Sequence, residues 1–323
     1  MKFTRFGAAV IVAAGFAASA SAQVQIDGPE CVAPANPGGG FDLTCRVAQT
    51  GLDPHIDAPV QVTFMPGGIG AVAYNLFNST RTDDASSIVA FSTGSLLNIV
   101  TGKYGAFTEK DVRWVGTAGA DFGAVVVRAD SDYSELSQLM DDFSADPSSV
   151  VVGAGGSVGS QDWMKGALLL REAGAKPMDM RYVAFDGGGD AIAALLGGSI
   201  EVYMGDVGEM VPHIESGQMR LLAVMSPERL EAPFAEIPTA MEQGFDVEWT
   251  ILRGFYMGGD VSDEDYQKWV DAFEAAYATE EFAAVQKERG LLPLNLAGDA
   301  LQTSIEERVE SLRVIAKEAG LIN

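Results

Sequence analysis

The stretch PANPGGGFDLTCR (34–46) follows a short apolar run, turns through three glycines and enters an amphipathic segment. Glycines in that position let the backbone turn where a Cβ would clash, or let a ligand come close to main-chain amides. The same grammar of apolar run, glycine turn and helical pattern recurs at Pro66-Gly67-Gly68-Ile69-Gly70, at Gly153 to Gly159 and at Asp186-Gly187-Gly188-Gly189. Four such units in one chain define an α/β architecture in which the glycine turns lie at the carboxyl ends of parallel strands.

Working outward, β-type runs occur at 31–35, 60–64, 87–91, 124–128, 149–153, 180–185, 200–204, 219–224 and 251–257. Helical patterns lie between them at 42–52, 71–80, 134–143, 160–174 and 190–198. Beyond Asp263 the chain reads as amphipathic helices with apolar residues three and four apart. No linker and no repeat divides the chain. Two domains without a linker imply that strands cross between them, and 124–131 and 249–257 are the candidate crossings. The expected fold is therefore a two-lobed α/β binding protein of the type II-like periplasmic class. Each lobe is a mostly parallel sheet flanked by helices, and the second lobe is inserted in the first. Residues 23–124 and 256–323 form domain 1, and residues 125–255 form domain 2.

The chain opens with Lys2 and Arg5, an apolar run and then Ala20-Ser21-Ala22. That pattern is a secretory signal peptide over 1–22, cleaved after Ala22, and is too short to span a bilayer. The expectation is an exported, periplasmic, monomeric protein of a Gram-negative bacterium that is not membrane-embedded. The formal net charge is −24, and loss of Lys2 and Arg5 with the leader makes it two units more negative. Such a surface excludes nucleic acid and anionic membranes as partners. Exported together, the two cysteines Cys31 and Cys45 can form a disulfide across the first glycine loop or remain two buried thiols.

Helix N-termini offer unpaired N–H groups and a partial positive charge, so glycine turns leading into helices can hold an anion without any cationic side chain. A carboxylate can thus bind locally to a protein that is acidic overall. Asp42 and Asp190, just after the glycines, suit helix N-caps. Enzyme motifs fare worse. Gly68-Ile69-Gly70-Ala71-Val72-Ala73 fits a dinucleotide fingerprint, but the acidic residue expected after the next strand is missing there, at Ser92-Thr93. Gly155-Gly156-Ser157-Val158-Gly159 fits a nucleophile elbow, which makes a secreted serine hydrolase the rival reading. The only later histidine, His213, lies in a surface-helix pattern with much of the chain still to follow. No metal-binding or P-loop motif is present, and neither a cofactor nor a metal is expected.

Read together, these segments resemble the extracytoplasmic solute-binding receptors of tripartite tricarboxylate transporters along nearly all the mature chain. PANPGGGFDLTCR is similar to the family's first loop and includes an arginine in the helix, here Arg46. VTFMPGGIGAVAYN is similar to the second, with Phe64-Met65 replacing the usual Asn-x. YVAFDGGGDAIAALLGGSIEVYMGD resembles the Val-Pro-Tyr-x-Gly-Gly segment. The stretch from Gly217 carries Arg229, Pro238-Thr239 and Glu242-Gln243-Gly244 in the family's order. The cysteines around the first loop most resemble the tricarboxylate-binding branch. The resemblance implies a receptor that is not an enzyme and that clamps a small, citrate-like di- or tricarboxylate between its lobes for membrane transporter subunits. A sensor passing a ligand signal to a membrane kinase is the other reading in the binding class. Carried over by position, the implied ligand-binding residues are Pro37, Gly38, Gly39 and Gly40; Pro66, Gly67 and Gly68; Ser92 and Thr93; Ser157, Gly159, Ser160 and Gln161; and Asp186, Gly187, Gly188 and Gly189.

Overall fold

In the computed structural model, residues 23–322 are described; the leader and its cleavage site lie outside them. The first half of the chain runs β1 (Glu30–Ala33), α1 (Gly40–Gly51), β2 (Gln61–Phe64), α2 (Ala71–Phe77), β3 (Ser87–Ser92), α3 (Thr93–Val100) and β4 (Val112–Arg128). Next come α4 (Leu136–Ala145), β5 (Val152–Gly155), α5 (Gln161–Glu172), β6 (Tyr182–Phe185), α6 (Gly188–Leu196), β7 (Val202–Asp206), α7 (Val211–Glu215) and β8 (Met219–Val224). The chain then returns through β9 (Thr250–Gly258) and ends in α8 (Asp263–Tyr277), α9 (Glu280–Glu288) and α10 (Gly298–Glu318).

The two lobes repeat one plan. In the first, β1 lies between β2 and β3 with parallel register, Cys31 opposite both Val62 and Ile88. In the second, β5 lies between β6 and β7, again parallel, with Val152 opposite both Tyr182 and Val202. Every antiparallel pairing of these sheets involves one of the long strands β4 and β9. Each sheet is therefore mixed: a parallel core of three strands, completed by β9 and β4 in the first lobe and by β4 and β8 in the second.

β4 makes the first crossing. It pairs with β9 from Val112 to Phe122, then with β7 from Gly123 and with β8 from Ala124. The change of sheet falls at Phe122–Gly123, slightly before the expected 124–131. Glycine is required there, because a Cβ on Gly123 would lie 2.7 Å from Lys165 Cδ and 2.9 Å from Met225 Sδ. The return falls at Trp249–Thr250. Gly123 N donates to Trp249 O, and all of β9 bonds to first-lobe strands. Residues 250–255, expected in domain 2, are thus hydrogen-bonded into the first sheet.

Beyond the changeover, Ala124, Val125, Val126 and Val127 are all fully buried. A strand covered on both faces reads as a continuous apolar run, which is why this half was visible in sequence. The first lobe's core is built on Trp114, whose ring lies 4.7 Å from that of Phe91 and 5.8 Å from that of Tyr256. Cys31 and Cys45 are joined as a disulfide that pins β1 to α1 beneath the first glycine loop.

Candidate ligand-binding site

Four helix N-termini, those of α1, α3, α5 and α6, converge on one cavity of about 50 Å³ between the lobes. Each is built differently. Gly39 is the N-cap of α1, and Asp42 sits three residues on, where its Oδ2 accepts from Gly38 N at 2.9 Å and its Oδ1 from Arg46 Nε at 3.0 Å. The cap of α6 is Gly187, and Asp190 accepts from Asn36 Nδ2 of the other lobe at 2.9 Å. Asp42 and Asp190 are therefore not N-caps. They sit in the first turn, where a carboxylate complements the helix dipole and leaves the cap to glycine. Ser92 caps α3 in a reciprocal box with Ser95. Ser160 caps α5, accepting from Trp163 N at 3.3 Å while donating to Gly155 O at 2.9 Å.

The lobes are closed on one another along this seam. Ile69 N donates to Asp186 Oδ1 at 3.1 Å, and Lys103 Nζ donates to Val158 O at 2.9 Å. A Cβ on Gly189 would fall 2.1 Å from Pro37 O, so only glycine permits this approach.

Beneath the loops lies a buried charge network that the motif reading did not find. Arg253 of β9 donates through Nε to Asp121 at 2.9 Å and through Nη2 to Asp206 at 2.6 Å. Lys165 of α5 reaches the other oxygen of Asp206 at 2.5 Å and Asp162 at 2.8 Å. Glu209 accepts from the Tyr203 hydroxyl at 2.5 Å. Burial opposes the charge on Arg253 and Lys165, yet the adjacent carboxylates overcome it and hold both above their ordinary values. Burial raises Asp121 and Asp162 despite those cations. Glu209 is pushed up to about 8, first by burial and then by the Asp206 charge. Isolated charges could not be held at such depth; the paired geometry is what allows them.

Gly39, Gly40, Ser92, Ser160, Gln161, Gly187 and Gly188 line the cavity. The other expected site residues do not. Pro66 and Gly68 are exposed, and Gly67 is half-buried. Backbone at positive φ from Gly67 to Gly70 turns that loop so that Ile69 lines the cavity instead. The Thr93 hydroxyl accepts from Leu252 N and ties α3 to β9. Ser157 is exposed with Lys103 Nζ 3.4 Å from its Oγ, and Gly159 packs under Leu321. Asp186, Pro37 and Gly189 belong to the interlobe seam, and Gly38 lines a neighbouring cavity with Asp42 and Arg46. The cavity wall also includes Asn98, Asp162, Asp206, Glu209 and Arg253. A signal for Arg253 and Lys165 did exist: each is a cation inside an otherwise apolar strand or helix face, and such a residue is rarely buried unless paired.

The family profile described as tripartite tricarboxylate transporter family receptor matches residues 44–321. Protein BugT of Bordetella pertussis is 27% identical over 252 residues, covering 76% of each chain. Among solved structures, the periplasmic binding protein BugD gives a TM-score of 0.81 at 20% identity, covering 92% of this chain and 98% of its own. MatC from Rhodopseudomonas palustris with bound malate gives 0.76 at 18% identity, covering 90% and 99%. At these identities the structural likeness establishes the fold. Among the described residues, no helix is long and apolar enough to cross a membrane.

Proposed function

The chain belongs to the tripartite tricarboxylate transporter family of receptors, and from that premise we infer that it captures a small di- or tricarboxylate, citrate-like in class, between its two lobes in the periplasm. As a member of a receptor family it is a solute-binding protein and not an enzyme. The captured solute is handed to the membrane subunits of a tripartite transporter, and the receptor works as an exported monomer whose leader ends at Ala22. Its lobes divide near residues 124 and 250, and closure hinges on the two crossings there. MatC holds malate and a second R. palustris neighbour, Rpa4515, holds adipate; both are dicarboxylates, in keeping with this class of ligand.

The observation that carries the reading is the convergence of four helix N-termini on one interlobe cavity whose floor presents Arg253. Arg253 is committed to Asp121 and Asp206 through Nε and Nη2, while Nη1 lies against Gly40 at the cavity wall. Main-chain amides at the helix ends supply the rest of the anion site. A few charge-assisted hydrogen bonds at roughly 1.5–3 kcal/mol each are enough for micromolar affinity. Calorimetry of ligand-stripped protein against a panel of di- and tricarboxylates tests the reading. Heats of binding for at least one are expected, and silence across the panel would overturn it.

A further inference from the structure

A second cleft, of about 420 Å³, opens between the lobes and shares no lining residue with the carboxylate cavity. One wall is α5 of the second lobe, which presents Met164, Leu168 and Arg171 at spacings of four and three, hence on one helix face. The other is α10, which packs on α3 of the first lobe and presents Arg308, Leu312 and Ile315 at the same spacings. Trp249 and Thr250, where the chain returns to the first sheet, line it as well. The two helices run antiparallel along the cleft, since Leu321, just beyond α10, packs on Gly159, just before α5. That order sets Ile315 and Ala319 toward Met164, Leu312 toward Leu168, and Arg308 toward Arg171. The cleft is cationic at one end and apolar along the rest.

In a chain of formal net charge −24, a local excess of positive charge needs a reason. The one acidic residue in the lining, Glu248, is exposed and accepts from Thr250 Oγ1 at 3.2 Å. Ion pairs among the described residues engage other arginines and include neither Arg171 nor Arg308. Arg171 sits in the last turn of α5, where a cation complements the helix dipole. That account does not extend to Arg308, which lies in the middle of α10 and is half-buried. Its Nε donates to Ser304 Oγ at 3.4 Å, and burial lowers its pKa with no carboxylate acting against that loss. A guanidinium held at such depth without a counter-charge is one that an anion would satisfy.

We propose that this cleft is a second binding site, separate from the carboxylate cavity, for an organic anion with one acidic head and an apolar tail. The head takes the guanidiniums of Arg171 and Arg308, one from each lobe, and the tail lies along Met164, Leu168, Leu312 and Ile315. From Leu312 to Ala319 the apolar wall runs roughly 10 Å at the helical rise of 1.5 Å per residue, which suits an aliphatic chain of medium length. A second charge on the ligand would fall against that wall, so the di- and tricarboxylates of the carboxylate cavity do not fit here. The walls come from both lobes, so an occupant bridges them beside the point where the chain crosses.

Calorimetry of ligand-stripped protein with octanoate, butanoate and octanamide separates the contributions of head and tail. Each methylene buried against the apolar wall is worth about fourfold in affinity, so octanoate is expected to bind at least tenfold more tightly than butanoate. Octanamide keeps the tail without the charge and should bind at least tenfold more weakly than octanoate. Arg308→Gln and Arg171→Gln should each weaken octanoate at least fivefold, and Ile315→Trp, which fills the apolar end from a partly exposed position, at least tenfold. Because burial opposes the charge on Arg308, Arg308→Gln should leave the urea midpoint unchanged or raised. A lowered midpoint would mean that the arginine serves the fold, and would overturn the proposal. So would the absence of octanoate binding, equal binding of butanoate or octanamide, or affinity undiminished in Arg308→Gln and Ile315→Trp. Octanoate binding that Arg253→Lys weakens and Arg308→Gln does not would belong to the carboxylate cavity and overturn it equally.

Discussion

Replacing Gly40 by alanine should damage a site that the residue never contacts through a side chain of its own. Gly40 is the first residue of α1 and adopts no left-handed conformation, so helix propensity alone favours alanine there by up to about 1 kcal/mol. The opposing term is steric. An added Cβ would sit 2.2 Å from Arg253 Nη1, 2.7 Å from Nη2 and 2.8 Å from Cζ. The guanidinium cannot swing aside freely, because Asp121 and Asp206 hold it at 2.9 and 2.6 Å in a fully buried position. Relieving the clash means breaking at least one charge-assisted hydrogen bond, worth roughly 1.5–3 kcal/mol. The net expectation for Gly40→Ala is a loss of about 1–2 kcal/mol in stability and about tenfold in carboxylate affinity. Urea unfolding and calorimetry measure both. Arg253→Lys removes both Nη atoms, the two nearest of the clashing three, and leaves only Nζ at the place of Cζ, so adding Gly40→Ala in that background should cost less. A stable, fully binding Gly40→Ala protein would refute the reasoning, and so would an equal loss in the lysine background.

The floor should also make stability depend on pH. Glu209 has a folded value near 8, well above its ordinary 4.5, so the folded protein holds this proton where the unfolded chain has lost it. Its contribution is complete below about pH 4.5 and is lost as pH rises to 8. Asp121 and Asp162 shift in the same direction, and the lowered His55 works in the opposite sense. The urea midpoint of the ligand-free protein is expected to fall between pH 5 and 8, and Glu209→Gln should flatten that slope. Reducing the Cys31–Cys45 bond, which closes a separation of 14 residues, should cost about 3 kcal/mol on the chain-entropy account; unfolding with and without reductant reads this directly. Asn36→Ala removes the interlobe bond to Asp190 and should weaken carboxylate binding several-fold through faster release, seen in stopped-flow, with little change in unfolding midpoint.

Much of the fold was visible in the sequence because its signals are local. Each strand of the described structure overlaps an expected apolar run, and the glycine turns fall where strands end and helices begin. What escaped is non-local or disguised. The first half of β4, VRWVGTAGADFG (112–123), carries three glycines and small residues that read as loop, although pairing with β9 makes it strand. The helix α3 begins directly after β3 with no turn residue between them. At the site, the glycine loops were found because a short motif announces them. The charged floor was not, since Arg253 meets Asp121 across 132 residues of chain and Asp206 across 47. The second loop shows the limit of the motif itself, because its run of positive φ points Pro66 to Gly68 away from the cavity that Ile69 reaches.

The position of the charged floor within the sheets bears on how the receptor closes. Asp206 pairs in register with Gly123, immediately after the change of sheet, and Arg253 pairs with Gly119, just before it. The Arg253–Asp206 contact therefore lies at the crossing itself, where rotation of one lobe against the other displaces atoms least. The Asn36–Asp190, Ile69–Asp186 and Lys103–Val158 contacts lie instead on the loops of the seam, away from the paired segments of β4 and β9, and rotation moves them furthest. With lobes rotating about this crossing, as proposed, the floor would stay formed throughout, and a ligand would meet oriented charges without first reorganising them. Burying an ion pair is nearly neutral in free energy, so a preformed network adds little bias to closure. The bias has to come from what the ligand adds at the rim, where a few part-buried or exposed hydrogen bonds leave closure dependent on the ligand.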